Sequence, residues 1–146
     1  MKKSLSLLLL AVIAILPMSA RERVTTNASE LPAAANAFLQ KHFPKTKVNH
    51  IKIESGTFGG TDYDVILSNG SEIEFDSKGN IKEIDCGYNS VPEGLILKPI
   101  TDYVRRNFKG QKIVSVDISR NKYEVELSNG VELEFDRDGS FRKADY

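Results

Sequence analysis

Residues 63–85 read YDVILSNGSEIEFDSKGNIKEID, and residues 123–145 read YEVELSNGVELEFDRDGSFRKAD. At a shift of 60 they agree at 12 of 23 positions, and most of the other differences are conservative. Internal repetition of this kind marks one supersecondary unit used twice. Upstream the match continues more loosely: FLQKHF (38–43) resembles YVRRNF (103–108), and VNHIKI (48–53) resembles IVSVDI (113–118). The shift there is 65, so the first copy carries about five extra residues around the stretch Ser55–Gly60. The expected organisation is a first unit over 21–86 and a second over 87–146, preceded by a separate segment over 1–20.

Inside each unit the periods change in the same order. Leu31-Pro32 and Val91-Pro92 each open a helix, where proline lacks an N–H that would be unpaired anyway. Ala34, Ala37, Phe38 and Leu39 in the first pattern, and Ile96, Ile100, Tyr103 and Val104 in the second, recur at helical spacing. Pro99 lies inside the second pattern, so that helix kinks or starts late. Beyond Phe43-Pro44 and Phe108 the period becomes two, with three or four short strands expected per unit. Tyr63, Val65, Leu67, Ile73 and Phe75 fall on one face; Asp62, Asp64, Glu72, Glu74 and Asp76 fall on the other. Asn69-Gly70 and Asn129-Gly130 read as two-residue type I′ hairpins. The stretches 76–79 and 136–139 read as second tight turns closed by glycine. The fold class is therefore α+β: two tandem repeats, each a helix followed by an antiparallel meander. A unit of about 60 residues has a marginal core alone, so the two are expected to share a sheet or to pack side by side.

The first twenty residues have the three parts of an export signal: Lys2-Lys3, an apolar run from Leu7 to Leu16, and small residues ending at Ala20. That run is too short to cross a bilayer, so no stable membrane insertion is expected once it is cleaved. An uncleaved anchor is the alternative, since Met18 fits the cleavage site poorly. The remaining 126 residues carry 18 basic and 20 acidic side chains, a net charge of −2. A protein built to grip nucleic acid or an anionic membrane would want a basic excess, so neither is an expected partner. The single cysteine, Cys86, makes no intrachain disulfide and reads as a partly buried bystander.

An export signal, then a helix and strand–SNG–strand ending in E-F-D-x-x-G, present twice, resembles the PepSY-like periplasmic proteins of gut Bacteroidetes. That family is related in fold to the beta-lactamase inhibitory protein. The resemblance covers the whole chain after residue 20. It implies an exported protein with peptidase inhibition or protein binding as its activity, and it transfers no contact residue.

No catalytic set emerges from the residues themselves. HExxH, CxxC, GxSxG and phosphate-cradling glycine loops are all missing from the sequence. His42 falls near the end of the first helix, where a partly charged imidazole suits the dipole. His50 falls on the polar face of the first strand beside Lys52. No enzyme and no cofactor are expected. The acidic strands are the remaining feature: Glu72 and Glu74 in the first copy, and Glu124, Glu126, Glu132 and Glu134 in the second. Carboxylates facing one another across strands cost stability. Lys52, Lys82, Arg142 and Lys143 are expected to interleave with them as an ordinary solvated face. The sharper reading is a basic partner protein docking on this open sheet face. Candidate contacts are Lys52, Asp64, Glu72, Glu74, Glu124, Glu126, Glu132, Glu134 and the exposed Phe58 of the glycine-rich loop. Calcium or a small ligand is the alternative occupant, although no loop alternates oxygen ligands as an EF-hand does and no metal site is assigned.

Overall fold

The computed structural model describes residues 21–56 and 59–146. The export-signal reading and the proposed contact at Phe58 both lie outside the described residues.

Nine antiparallel strands form one sheet in strict chain order, so every strand pairs with its sequence neighbours. They are β1 (Arg21–Thr25), β2 (Val48–Ser55), β3 (Thr61–Leu67), β4 (Glu72–Phe75), β5 (Ile81–Asp85), β6 (Ile113–Ile118), β7 (Lys122–Leu127), β8 (Glu132–Asp136) and β9 (Phe141–Asp145). Helix α1 (Ala33–His42) lies between β1 and β2, and α2 (Lys98–Asn107) lies between β5 and β6. Short 3-10 turns over Ala28–Glu30 and Glu93–Leu95 lead into the helices. The architecture is α+β, with helix-then-four-strands occurring over α1–β5 and again over α2–β9. The two stretches are not separate sheets: β5 and β6 pair directly, matching Glu83 with Asp117, Ile84 with Val116 and Asp85 with Ser115. Strand β1 is an addition to the expected meander, formed by residues that precede the first helix.

Both helices contribute to one continuous core against the inner face of the sheet. Phe75 and Phe135, at equivalent places in β4 and β8, are fully buried. Phe38 of α1 meets Phe75 edge-on at 5.6 Å between ring centroids, and Tyr103 of α2 meets Phe135 edge-on at 5.4 Å. Each such ring contributes about 1.5–3 kcal/mol by burial. The stripe on α1 differs from the expected one. Ala35 and Leu39 are buried and Phe38 packs against the core, while Ala34 and Ala37 are exposed. On α2, Ile100 and Val104 are buried as the spacing predicts. That helix starts late at Lys98, with Pro99 in its first turn rather than inside it.

The hairpins also correct the sequence reading. Among the described residues, none other than glycine has positive φ, so Asn69 and Asn129 do not make type I′ turns. Each hairpin instead has a three-residue loop ending in a left-handed glycine, a type I turn with a bulge. Gly70 N–H donates to the Leu67 carbonyl at 2.9 Å and Leu67 N–H to the Ser71 carbonyl at 2.8 Å; Gly130 and Leu127 repeat this. The turns at Gly79 (φ 81°) and Gly139 (φ 87°) have the same form and sit under the helix starts. A Cβ on Gly79 would lie 2.8 Å from the Ala35 nitrogen, and one on Gly139 would lie 2.8 Å from Pro99 Cβ. Glycine is required there twice over, by φ and by the close approach of the helix.

His42 stands in the last turn of α1, as expected. Burial, and then the neighbouring Lys41 charge, push its imidazole down, and the ring packs on Phe38 at 4.7 Å. Cys86 is buried, and burial pushes its thiol up.

Candidate functional site

Because helices cover only one face, the other face of the sheet is open. Strand alternation sends every second side chain to it, and register lines those side chains up across the strands. One row runs the full width of the sheet: Val24, Lys52, Asp64, Glu74, Glu83, Asp117, Glu124, Glu134 and Lys143, each the register partner of the next. Six adjacent strands thus present six carboxylates in line, with one lysine at each end. A second row runs beside it through Glu72, Asp85, Ser115, Glu126, Glu132 and Asp145. Cross-strand neighbours stand about 4.5–5.5 Å apart at Cβ, and like charges at that spacing repel.

The row is not uniform. At its second-half end, Glu134 is only 9% exposed, accepts a hydrogen bond from Lys122 Nζ at 2.8 Å and forms an ion pair with Arg142 Nη1 at 3.0 Å. Lys122 also reaches Glu124 at 2.9 Å. The hydrogen bond from Lys122 holds the Glu134 carboxyl below its usual range despite desolvation. In the first half one cation, Lys82, serves both Glu74 and Asp62, the latter at 3.0 Å. Burial pulls the Lys82 ammonium down, but its bonds to Glu74 and Asp62 outweigh this and raise it.

Among the described residues, Asp64, Glu83 and Asp117 have no cation within 4.0 Å. Burial, then Glu74 and Glu54, push the Asp64 carboxyl above its ordinary value. Burial, then Asp117 and Glu74, do the same to Glu83. Asp117 is raised by burial, then by Glu124 and Glu74. Asp64, Glu72, Glu74, Glu83 and Asp85 line a shallow depression of about 130 Å³ at this place. Its lining is acidic apart from Ile73, and a cationic group entering it would lower the electrostatic energy of every neighbour at once.

Of the contacts expected from sequence, Lys52, Asp64, Glu74, Glu124 and Glu134 fall in the central row, while Glu72, Glu126 and Glu132 fall in the second. Glu124 faces Glu134, and Glu126 faces Glu132, as the hairpin reading expects. Three residues of the arrangement escaped the sequence reading. Lys122 stands 60 positions after Asp62, a charge reversal between the two similar stretches that is legible in the sequence. Glu83 likewise stands where the second copy has Lys143. Asp117 stands where the first stretch has Lys52 at the shift of 65, but only the pairing of β5 with β6 brings it beside Glu83. Of the expected interleaving cations, Lys82 and Arg142 bridge to the acidic strands, and Lys143 turns to Asp145 at 2.8 Å. Among the described residues, no three of His, Cys, Asp and Glu are placed to hold a metal ion together. Likewise among them, no helix is long and apolar enough to cross a membrane.

Residues 61–143 match the model of a family described as "putative beta-lactamase-inhibitor-like, PepSY-like". Three solved structures share the fold over most of the chain. A "putative periplasmic protein of unknown function" from Bacteroides vulgatus is 44% identical, with a TM-score of 0.83 over 86% of this chain and 100% of that one. A second B. vulgatus protein, of the DUF2874 family, is 34% identical at a TM-score of 0.80, covering 86% of this chain and 97% of its own. The third is a "putative calcium-regulated periplasmic protein" from Bacteroides thetaiotaomicron, 35% identical at a TM-score of 0.81 with the same coverage of 86% and 97%. None of the curated proteins matches the chain.

Proposed function

This chain belongs to the PepSY-like family of periplasmic proteins, and on that premise we propose that it is a non-enzymatic binding module, exported by cleavage after residue 20. Its acidic sheet face receives a basic segment of a partner protein. Inhibition of an envelope or secreted enzyme is the concrete form of this reading, in keeping with the family's description. The helix-plus-meander units over 21–86 and 87–146 are read as copies of one ancestral unit, on the strength of their 12 shared residues in 23. One observation carries the binding reading. Asp64, Glu83 and Asp117 stand in one row with carboxyl groups raised by desolvation and by neighbouring carboxylates, Glu74 among them for all three, whereas Glu134 in the same row is held down by Lys122. Such a row costs the isolated fold stability, and a docked cation recovers it.

The test is capture from envelope extract on the immobilised chain from Arg21 onward, beside a Glu83→Lys/Asp117→Lys variant and a Glu132→Lys variant. The expected partner binds the native chain, elutes with salt, survives Glu132→Lys and is lost from the double variant. A partner retained equally by the double variant would remove the central row from the reading.

Calcium is the second reading, favoured by the third relative's description. Calorimetry with calcium decides it: heat and a raised Tm that Glu83→Gln abolishes would support it, whereas no heat at millimolar metal would end it.

A further inference from the structure

The helix side of the molecule holds a second feature, independent of the acidic face. Between the end of α2, the Glu93–Leu95 turn and the start of β6 lies a cavity of about 470 Å³. Val104, Phe108 and Ile113 supply apolar lining, and Arg105, Lys109 and Lys112 stand around them. That volume lies within the range of small-molecule sites, about 300–1,000 Å³.

The counterpart 65 residues earlier shows what this groove looks like when closed. There Leu39 replaces Val104, Gln40 replaces Arg105 and Pro44 replaces Lys109, and the cavity is about 200 Å³. Asn36 Nδ2 donates to the Ala28 carbonyl at 2.9 Å, tying the preceding 3-10 turn down to the helix. At the equivalent place, Thr101 Oγ1 donates back to the Lys98 carbonyl at 2.9 Å inside its own helix, so that tie is missing. The Glu93–Leu95 turn is held to α2 instead by Arg105 and Glu93 at 3.7 Å. Both side chains are exposed, and an exposed pair of this kind is weak and exchanges readily.

Helix-end cations such as Arg105 and Arg106 have a structural role at the negative end of the helix dipole. Lys109 and Lys112 do not share it, because they lie beyond the helix on either side of Gly110. Among the described residues, neither has a carboxylate within 4.0 Å. Charge complementarity therefore calls for an anion at the lysine end of an apolar groove. A peptide main chain is not the fit, since β6 is already paired on both sides and offers no free strand edge.

We propose that this groove binds a medium-chain fatty acid. Its chain lies on Val104, Phe108 and Ile113, its carboxylate is held by Lys109 and Lys112, and Arg105 swings from Glu93 to join them.

The probe is decanoate below its micellar concentration, titrated into the chain from Arg21 onward by calorimetry and by thermal melting. Saturable one-site binding and a raised Tm are expected. Lys109→Gln/Lys112→Gln, which touches only exposed side chains, weakens binding about tenfold. Thr101→Asn/Val104→Leu/Arg105→Gln, which installs the smaller groove's residues, abolishes it. Glu83→Gln on the opposite face leaves it unchanged. Absence of saturable binding at millimolar decanoate would overturn the proposal. So would an unchanged Kd in the lysine variant, or decylamine binding as tightly as decanoate. A concentration-dependent dimer in sedimentation that the lysine variant loses would assign the groove to a second copy, and would equally overturn it.

Discussion

The open face of β3–β6 and that of β7–β9 are built from nearly the same strand pattern, yet their charges behave in opposite ways. In β7–β9 the carboxylate of Glu134 is held below its usual range by Lys122 and flanked by Arg142. In β3–β6, Asp64, Glu83 and Asp117 are all raised, first by desolvation and then by neighbouring carboxylates, with Glu74 acting on all three. Three exchanges between the two similar stretches separate these outcomes: Asp62 against Lys122, Glu83 against Lys143 and, at the shift of 65, Lys52 against Asp117. Each reverses one charge on a sheet where every neighbour is close. The lesson is that two stretches with a similar strand pattern keep similar packing while single surface exchanges decide where unrelieved charge accumulates.

The packing side of the comparison gives the largest expected effect. Phe75→Ala and Phe135→Ala should each cost about 3–5 kcal/mol, because both rings are fully buried under an aromatic residue of a helix. One core spans both halves, so either variant should lower a single cooperative melting transition. Two separated transitions in calorimetry would break the comparison by making the halves independent.

Next comes Gly79→Ala, expected to cost about 2 kcal/mol or more from the left-handed conformation together with the approach to the Ala35 nitrogen. Gly139→Ala meets the side chain of Pro99 rather than backbone. It should be the milder of the two in urea denaturation. Equal losses would place the whole cost in the backbone conformation.

The charge exchanges give smaller effects with opposite pH dependence. Glu83 is raised in the folded state, so its ionisation costs stability. Glu83→Gln should therefore gain about 0.5–1 kcal/mol at pH 7, roughly 2–4 °C in Tm, and the gain should fade as pH falls below the ordinary carboxylate range. Glu134 is depressed instead, so its contribution is present above the unfolded pKa and is lost as pH falls through the folded one. Lys122→Met should lower Tm at pH 7 and converge with the native chain in acid. Melting curves taken from pH 3 to pH 8 check both, and parallel pH profiles for the two variants would contradict the opposite shifts.

Salt supplies the smallest effect. Screening at 1 M weakens repulsion between exposed carboxylates, so the native chain should gain slightly more Tm than Glu83→Gln does.

Local reading reached the elements well where the period was unambiguous. Helix, meander and turn positions follow from residues such as Val65, Leu67, Ile73 and Phe75, because alternation along a strand is a local property. It failed where a local motif had two solutions. Asn-Gly suits a type I′ turn, but Ser68 and Ser128 belong to a longer loop, and the strand register selects the three-residue form. It also misjudged α1, where a run of alanines gives little indication of which side is apolar, so Ala35 and not Ala34 meets the sheet.

The sequence by itself determined an α+β chain with acidic strands on one face, since composition, period and self-similarity are all carried in order along it. Only the tertiary structure decided that β5 pairs with β6, and with it that Glu83 meets Asp117 and that the carboxylates of six strands form one unbroken row. Register between strands separated by a helix is set by burying one common core. Proximity of charges across that junction follows from the packing and from no motif in the chain.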